Sequence, residues 1–396
     1  MSKTYFNISD KLRLYEFDGM LDQYGDAAAA YSLRKLRNGY TGDAIRVRRS
    51  SDNTERDMGF YDNELDTVAL LNWVNEEYTF IEEPFDGAYT WNVALGSASV
   101  NGGVLDFPDG VNTVVFTSIG NTLKTQQVRV TFTILNYQSG SIKFQNYNNG
   151  ADGTNRTADG TYTEILTISE SGNNNFGFGG TLHGQIDDFK IEQLTADGHV
   201  HTWYDQSANA NHAVQGTDSA QPKIVDAGAV VTEGGKPAIT MDGIDDFFLL
   251  TSGITSTDYS VLSLLNLDDT FQTSSYGGVI TEYLGQTRGF IYHFGQGYNW
   301  RDGGIYHKLV HPISETGQHL LFMTVNSTTG NGYINGQLSK TNVSIVNNNI
   351  TFAALFGTAF GSYIKANVQE LVLYTAYRQG EQDDFMFNAN AYYNIY

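Results

Sequence analysis

Short apolar runs broken by polar turn residues dominate the chain, and most have the period of two that marks a strand with one wet face. Ala44-Ile-Arg-Val-Arg-Arg alternates apolar with basic residues in this way. From Glu82 to Leu194 the pattern becomes regular. Strands are predicted at Tyr89 to Val93, Val114 to Thr117, Gln127 to Leu135, Ser141 to Gln145, Tyr162 to Ile168, Asn175 to Phe178 and Gln185 to Leu194, separated by Gly, Asn and Asp clusters. That rhythm suits a β-sandwich or jelly roll. A second series follows residue 198, with strands predicted at Gly278 to Tyr283, Arg288 to Phe294, His319 to Val325, Gly332 to Asn335 and Val368 to Tyr374. Helical spacing is confined to the N-terminal part. Asp26 followed by AAAAYSLRKLR reads as an N-capped helix, because a short carboxylate can accept first-turn amide hydrogens and Ala is the best helix former. A second helix is predicted over Leu65 to Val74.

Composition narrows the class. The 396 residues carry 42 Gly against 5 Pro, 40% apolar and 13% aromatic residues, and no Cys. Such a chain has enough apolar mass for two or three folded domains, is mainly β, and has no disulfides or thiolate metal sites. The formal charge is −21, which disfavours nucleic acid as a ligand because phosphate backbones are held mostly by Lys and Arg. The charge is not uniform. Between Arg34 and Arg56, seven basic residues (Arg34, Lys35, Arg37, Arg46, Arg48, Arg49, Arg56) face three acids (Asp43, Asp52, Glu55), a local +4 that leaves −25 for the rest. Arg46, Arg48 and Arg49 either pair with the chain's own carboxylates or form a docking surface for an acidic partner. The first ten residues, MSKTYFNISD, lack an apolar signal core, and no run approaches a membrane span, so synthesis in the cytoplasm is expected.

Several motifs carry a resemblance. AAAAYSLRKLRNGYTGDAIRVRRSSDNTERDMGF, HTWYDQSANANHAVQ and GGKPAITMDGIDDFF, in this order, resemble the module shared by fungal α-L-arabinofuranosidase B and many tailed-phage virion proteins. GYINGQ and the ending QELVLYTAYRQGEQDDFMFNANAYYNIY resemble closing elements of laminin-G-like modules of phage structural proteins. VRVTFTILNYQSGSIKF, GTYTEILTI and GTLHGQIDDFKIEQL resemble the jelly-roll carbohydrate-binding modules inserted in such proteins. The resemblance implies two β-sandwich modules with short helices in the N-terminal part. A concanavalin A/laminin-G-like sandwich is split over 25–81 and 199–396, with a jelly-roll carbohydrate-binding-like domain at 82–198 and an anchoring segment at 1–24. It further implies a virion structural protein, exposed as a head fibre, decoration or tail-associated adhesin, with other virion proteins as partners, homo-oligomers, and a host surface glycan as ligand. A glycoside hydrolase is the alternative.

Candidate chemistry follows from residue type. A glycosidase needs two carboxylates, about 5–5.5 Å apart if retaining and about 6.5–9.5 Å if inverting. Glu282 in GGVITEYLG and Asp302 in WRDGG adjoin aromatic residues that could stack on a sugar, as does Asp205 in WYDQS. Asp205 equally fits a tight loop, where Asp, Gln, Ser and Asn side chains satisfy backbone groups. His199, His201 and His212 have no spacing that fixes a tetrahedral zinc set with it. Glycan platforms need exposed aromatics, and the candidates are Trp91, Tyr137 and Tyr147 in the middle block and Tyr292, Tyr298 and Trp300 in the second. Trp300, among polar and Gly neighbours, reads as a loop tip. A structural calcium would use carboxylates in loops. Asp242, Asp245 and Asp246 in MDGIDD are candidates, and the carbohydrate-module resemblance adds Asp187, with Asp188 on the opposite strand face; solvated turn carboxylates are the other reading of each cluster.

Overall fold

The computed structural model describes residues 19–396 except 77, 84, 88, 119–125, 147–151, 169–174, 269–275, 283–287, 294–296, 303–304, 311–316, 346–348 and 358–362. It is mainly β with few short helices. The strands predicted in the middle block are present with shifted ends, as Asn92–Leu95, Thr113–Ser118, Gln127–Ser139, Ile142–Asn146, Gly160–Thr167, Asn175–Gly180 and His183–Gln193. Together with three strands not predicted, Tyr78–Glu83, Ser99–Asn101 and Val104–Phe107, they form a four-stranded and a six-stranded sheet that enclose their own apolar core, including Val130, Phe132, Phe144, Phe178 and Phe189. Gly140, at φ 85°, lies in the turn that carries the chain from the six-stranded to the four-stranded sheet, where a Cβ would lie 1.7 Å from the Thr181 carbonyl oxygen, so no other residue fits.

Most of the remaining strands build one large sheet system that closes on itself, while Phe60–Tyr61 with Glu64–Leu65, and Thr232–Glu233 with Lys236–Pro237, form two separate two-stranded sheets. At its centre Lys365–Tyr374 lies between Ala29–Ser32 and Tyr259–Leu267, and the latter pairs on its far side with Gly317–Asn326. These strands are apolar without alternation because both faces are covered. Val261, Leu265, Leu321 and Leu371 face the larger core, which also contains Trp203, Phe248, Trp300 and Phe352. Leu262, Leu264, Phe322 and Val372 face the C-terminal helix Gln382–Tyr393, which buries Phe385, Met386, Ala389 and Tyr393 against them.

One predicted helix forms and one does not. Thr67–Val74 is helical, and Asp66 caps it by accepting the Ala69 N–H at 2.9 Å. The Ala-rich segment is instead the strand Ala29–Ser32, fully buried. Ala29 contributes to the larger core and Ala30 to the helix-side core, so small side chains are needed on both faces. Asp26 caps nothing there; it pairs with Arg378. The end of the supposed anchoring segment is also part of the fold. Met20 and Leu21 are buried in the helix-side core and Tyr24 packs edge-on against Phe385 at 4.7 Å, while residues 1–18 lie outside the described residues.

A buried ion pair joins the two ends of the chain. Arg34, 1% exposed, donates Nε and Nη2 hydrogens to the Glu370 carboxylate at 2.8 and 3.0 Å, and Glu370 also accepts from Ser32 Oγ at 2.9 Å. Arg34 reaches Asn388 on the C-terminal helix as well, at 2.9 Å. A second rivet, Asp197, ties the middle block to the larger sheet by accepting from Gln126 Nε2, the Ala227 N–H and Lys223 Nζ. Removing one partner of a buried pair strands the other charge. Glu370→Gln is therefore expected to lower unfolding free energy by about 3–5 kcal/mol, measured by denaturant titration.

Candidate functional site

Three of the expected aromatic platforms, Trp300, Tyr292 and Tyr298, are core residues. Trp300 lies within the strand Gly297–Asp302, 0% exposed, packed on Tyr259 and Phe290 at ring distances of 5.4 and 5.5 Å. Its polar neighbours are Asn299, buried with its amide on the Gly297 carbonyl, and Arg301, whose guanidinium lies 5.4 Å from the Tyr306 ring. They look like a loop in sequence but are the alternating partners of a strand. Tyr292 and Tyr298 are equally buried; the Tyr298 hydroxyl meets His319 Nδ1 at 2.9 Å. Trp91 and Tyr137 are half-buried against the middle core, with Trp91 between Phe85, Phe178 and Phe189. Tyr147 lies outside the described residues.

The arginine-rich strand Ile45–Arg49 is likewise tied to its own chain. Arg46 makes a two-pronged pair with Asp57 at 2.7 and 2.8 Å. Arg49 does the same with Asp52, reaches Glu76 at 2.7 Å and lies over Trp73. Arg48 holds Gln221, Asn53 and the Asp218 carbonyl. Arg46, Arg48 and Arg49 are thus engaged by carboxylates, amides and carbonyls of their own chain. Asp205 is also internal: its carboxylate accepts the N–H groups of Ala30, Ser207 and Asn211 and the Ser207 hydroxyl, at 2.7–2.9 Å. The histidines serve local roles, His199 on the Gln221 carbonyl, His201 on Thr202 Oγ1 and His212 accepting the Asp205 N–H.

Two carboxylate arrangements remain. Glu282 and Asp302 stand at one end of three adjacent strands: Glu282 donates its N–H to the Arg288 carbonyl, Thr281 faces Gly289, and Gly289 faces Arg301. They share one cross-strand row, with two inter-strand steps of about 4.8 Å between their backbones. Glu282 is half-buried, and its Oε1 accepts the Thr351 N–H at 3.5 Å. Tyr306, which the sequence reading missed, is an exposed ring on the next strand.

The second arrangement lines an open cleft of about 920 Å³ at the other end of the large sheet. Its walls include His199, Lys223, Asp242, Asp246, Asn266 and Asn367. Asp242, Asp245 and Asp246 bring carboxylate oxygens within 4.8 Å of one another, the single such group of three among the described residues. Much of that closeness is loop construction. Asp242 Oδ1 accepts the N–H groups of Ile244, Asp245 and Asp246, and Asp246 Oδ2 accepts the Asp242 N–H. Asp187 gathers no such group. A bulge with Asp188 at φ 49° puts two acids between the buried Ile186 and Phe189, keeping both out of the core, and the Asp188 N–H donates to Asp187 Oδ1. Burial, with Asp242 adding to it, pushes the Asp246 carboxyl up from 3.8 to about 7. The sequence held one signal for the cleft: Asn266 interrupts the apolar run YSVLSLL.

Comparison with known proteins bears on the fold. No family model matches the chain, and no curated protein does. Among solved structures, a GH54 α-L-arabinofuranosidase soaked with 4-nitrophenyl α-L-arabinofuranoside aligns over 93% of this chain at TM-score 0.50 and 11% identity. An arabinofuranosidase complexed with arabinofuranosyl-α-1,2-xylobiose aligns over the same 93% at TM-score 0.51 and 12% identity. This chain spans 64% of the length of each. A Trypanosoma rangeli sialidase aligns over 49% of this chain and 32% of its own, at TM-score 0.35 and 10% identity, too low to carry weight. The chain therefore shares the arabinofuranosidase fold at identities where fold and function are separate questions.

Two outcomes follow. Trp300→Ala should destabilise the fold by about 3–5 kcal/mol in denaturant titration, because it removes a buried core ring. Asp246 holds its proton more tightly folded than unfolded, so its favourable contribution is present below the ordinary carboxyl value and is lost as pH rises from about 4 through about 7. Asp246→Asn should flatten stability across that window, measured by denaturant titration at a series of pH values.

Proposed function

We propose that this chain is a structural protein of a tailed bacteriophage particle, exposed as a head fibre, decoration or tail-associated adhesin, whose β-sandwiches bind glycan. The observation that carries the glycan part is the arabinofuranosidase-like fold over 93% of the chain, with an open cleft walled by hydrogen-bonding side chains. A glycan presents many hydroxyls, and a cleft of amides, hydroxyls and carboxylates answers them. The particle assignment rests on the ordered motifs that resemble phage virion modules. Assembly from chains made in the host cytoplasm and released with the virion agrees with a chain that has no Cys.

A glycoside hydrolase is the second reading, supported by the row that aligns Glu282 and Asp302 across three strands. Glu282 would then serve as one of the acid–base pair and Asp302 as the other.

Mass spectrometry of purified particles from the source phage is expected to contain the chain, and removal of residues 1–18 is expected to leave a folded protein that no longer copurifies with particles. Particles without the chain, or unchanged incorporation of the shortened form, would contradict the particle reading and its anchoring segment respectively. Release of reducing sugar from arabinose-containing polysaccharide, abolished by Glu282→Gln, would put the hydrolase reading first.

A further inference from the structure

The cleft at the ends of the central strands differs from every site the sequence singled out for sugar. Asn266 and Asn367 face each other in register across the pair Tyr259–Leu267 and Lys365–Tyr374, so two amide side chains stand side by side on its wall. Asn367 Nδ2 is engaged by Glu233 at 3.2 Å. The Asn266 Oδ1 atom is enclosed and accepts no hydrogen bond. An unmatched amide oxygen just beneath the wall of an open cleft is an acceptor in want of a donor, and a turn of the Asn266 side chain would present it to a ligand there.

Charge narrows what can supply that donor. The two lysines of the cleft are matched by acids: Lys223 with Asp226 at 2.7 Å and Asp197 at 2.9 Å, and Lys365 with Asp268 at 3.3 Å. Asp242 adds negative charge with no cation paired to it among the described salt bridges, while Asp246, 6% exposed, carries only part of a charge near neutral pH. A ligand bearing carboxylate, sulfate or phosphate would meet like charge in a partly desolvated wall. Polyhydroxylated ligands without acidic groups would not, since hydroxyls donate to carboxylates and amide oxygens. Among the residues that line the cleft there is no Phe, Tyr or Trp, so binding would rest on hydrogen bonds and on the short apolar stretch of Met241 and Leu267.

We infer that this cleft binds a saccharide free of acidic groups, with Asn266 and Asp246 as orienting acceptors. The inference rests on the reading of the chain as a glycan-binding protein and locates that binding.

Saturation-transfer NMR and calorimetry on the full chain would use xylotriose, maltotriose and chitobiose as neutral probes and sialyllactose as the anionic one. At least one neutral probe is expected to bind, sialyllactose to bind at least about tenfold more weakly, and Asn266→Ala to lower neutral-probe affinity about tenfold. Thr240→Arg, which places a long side chain in the cleft wall, is expected to do the same, and it serves if Asn266→Ala does not fold. Neutral-probe affinity unchanged in both folded variants would overturn the cleft assignment while glycan binding itself stood. Equal binding of sialyllactose would overturn the charge argument. Failure of every neutral probe would overturn the cleft assignment and the glycan-binding reading together, leaving the particle assignment to its own test.

Discussion

The fold depends on a clamp formed by the loop that follows Trp203. Asp205 accepts the Ala30 N–H, while Gln206 accepts the Leu36 N–H through Oε1 and donates Nε2 hydrogens to the carbonyls of Ser32 and Arg34. Two consecutive side chains thereby hold one N-terminal segment extended along its length. Both are buried, at 2% and 0% exposure, where each hydrogen bond counts for more than in water. Once that segment is extended, Ala29–Ser32 pairs with Lys365–Tyr374, and Arg34 arrives beside Glu370. The C-terminal helix then has an apolar surface to cover. Chain segments more than 300 residues apart are brought together by this sequence of contacts.

This clamp explains where the sequence misleads. Four alanines after an aspartate favour a helix by intrinsic preference, but that preference amounts to only tenths of a kcal/mol per residue. Pairing with Lys365–Tyr374 on one edge and the Asp205–Gln206 loop on the other, with both faces buried, outweighs it, and alanine is suited to that place because it is small. Trp300 misleads for a related reason. Gly, Asn, Arg and Asp around it are the residues of a loop tip, yet a strand packed beside neighbours that carry their own polar partners accommodates them. Burial and partnership across strands are not local properties, so no window of sequence reports them.

Other features were legible because they are local. The alternation and turn clusters of the middle block set seven of its strands to within a few residues, though not the short Ser99–Asn101 and Val104–Phe107, and the helix predicted over Leu65 to Val74 forms as Thr67–Val74. MDGIDD was recognisable as an acidic turn. The cleft behind it was not, since its Asn266–Asn367 pair joins positions about a hundred residues apart, and only the register of the central strands brings them together. The arginine cluster shows the same limit from the other side: its charge is visible in sequence, but its partners Asp57, Asp52, Gln221 and Glu76 decide that it is structural. The chemistry left at the surface is accordingly acidic and amide-rich, in keeping with a surplus of −21.

The claim that a side-chain clamp holds an Ala-rich segment as a buried strand is tested most directly by amide hydrogen exchange at Ala30 and Leu36. The account predicts that both amides exchange only through global unfolding, with protection equal to that of the central strand residues Leu371 and Val372. Exchange at the rate of a frayed helix or an exposed loop would contradict it.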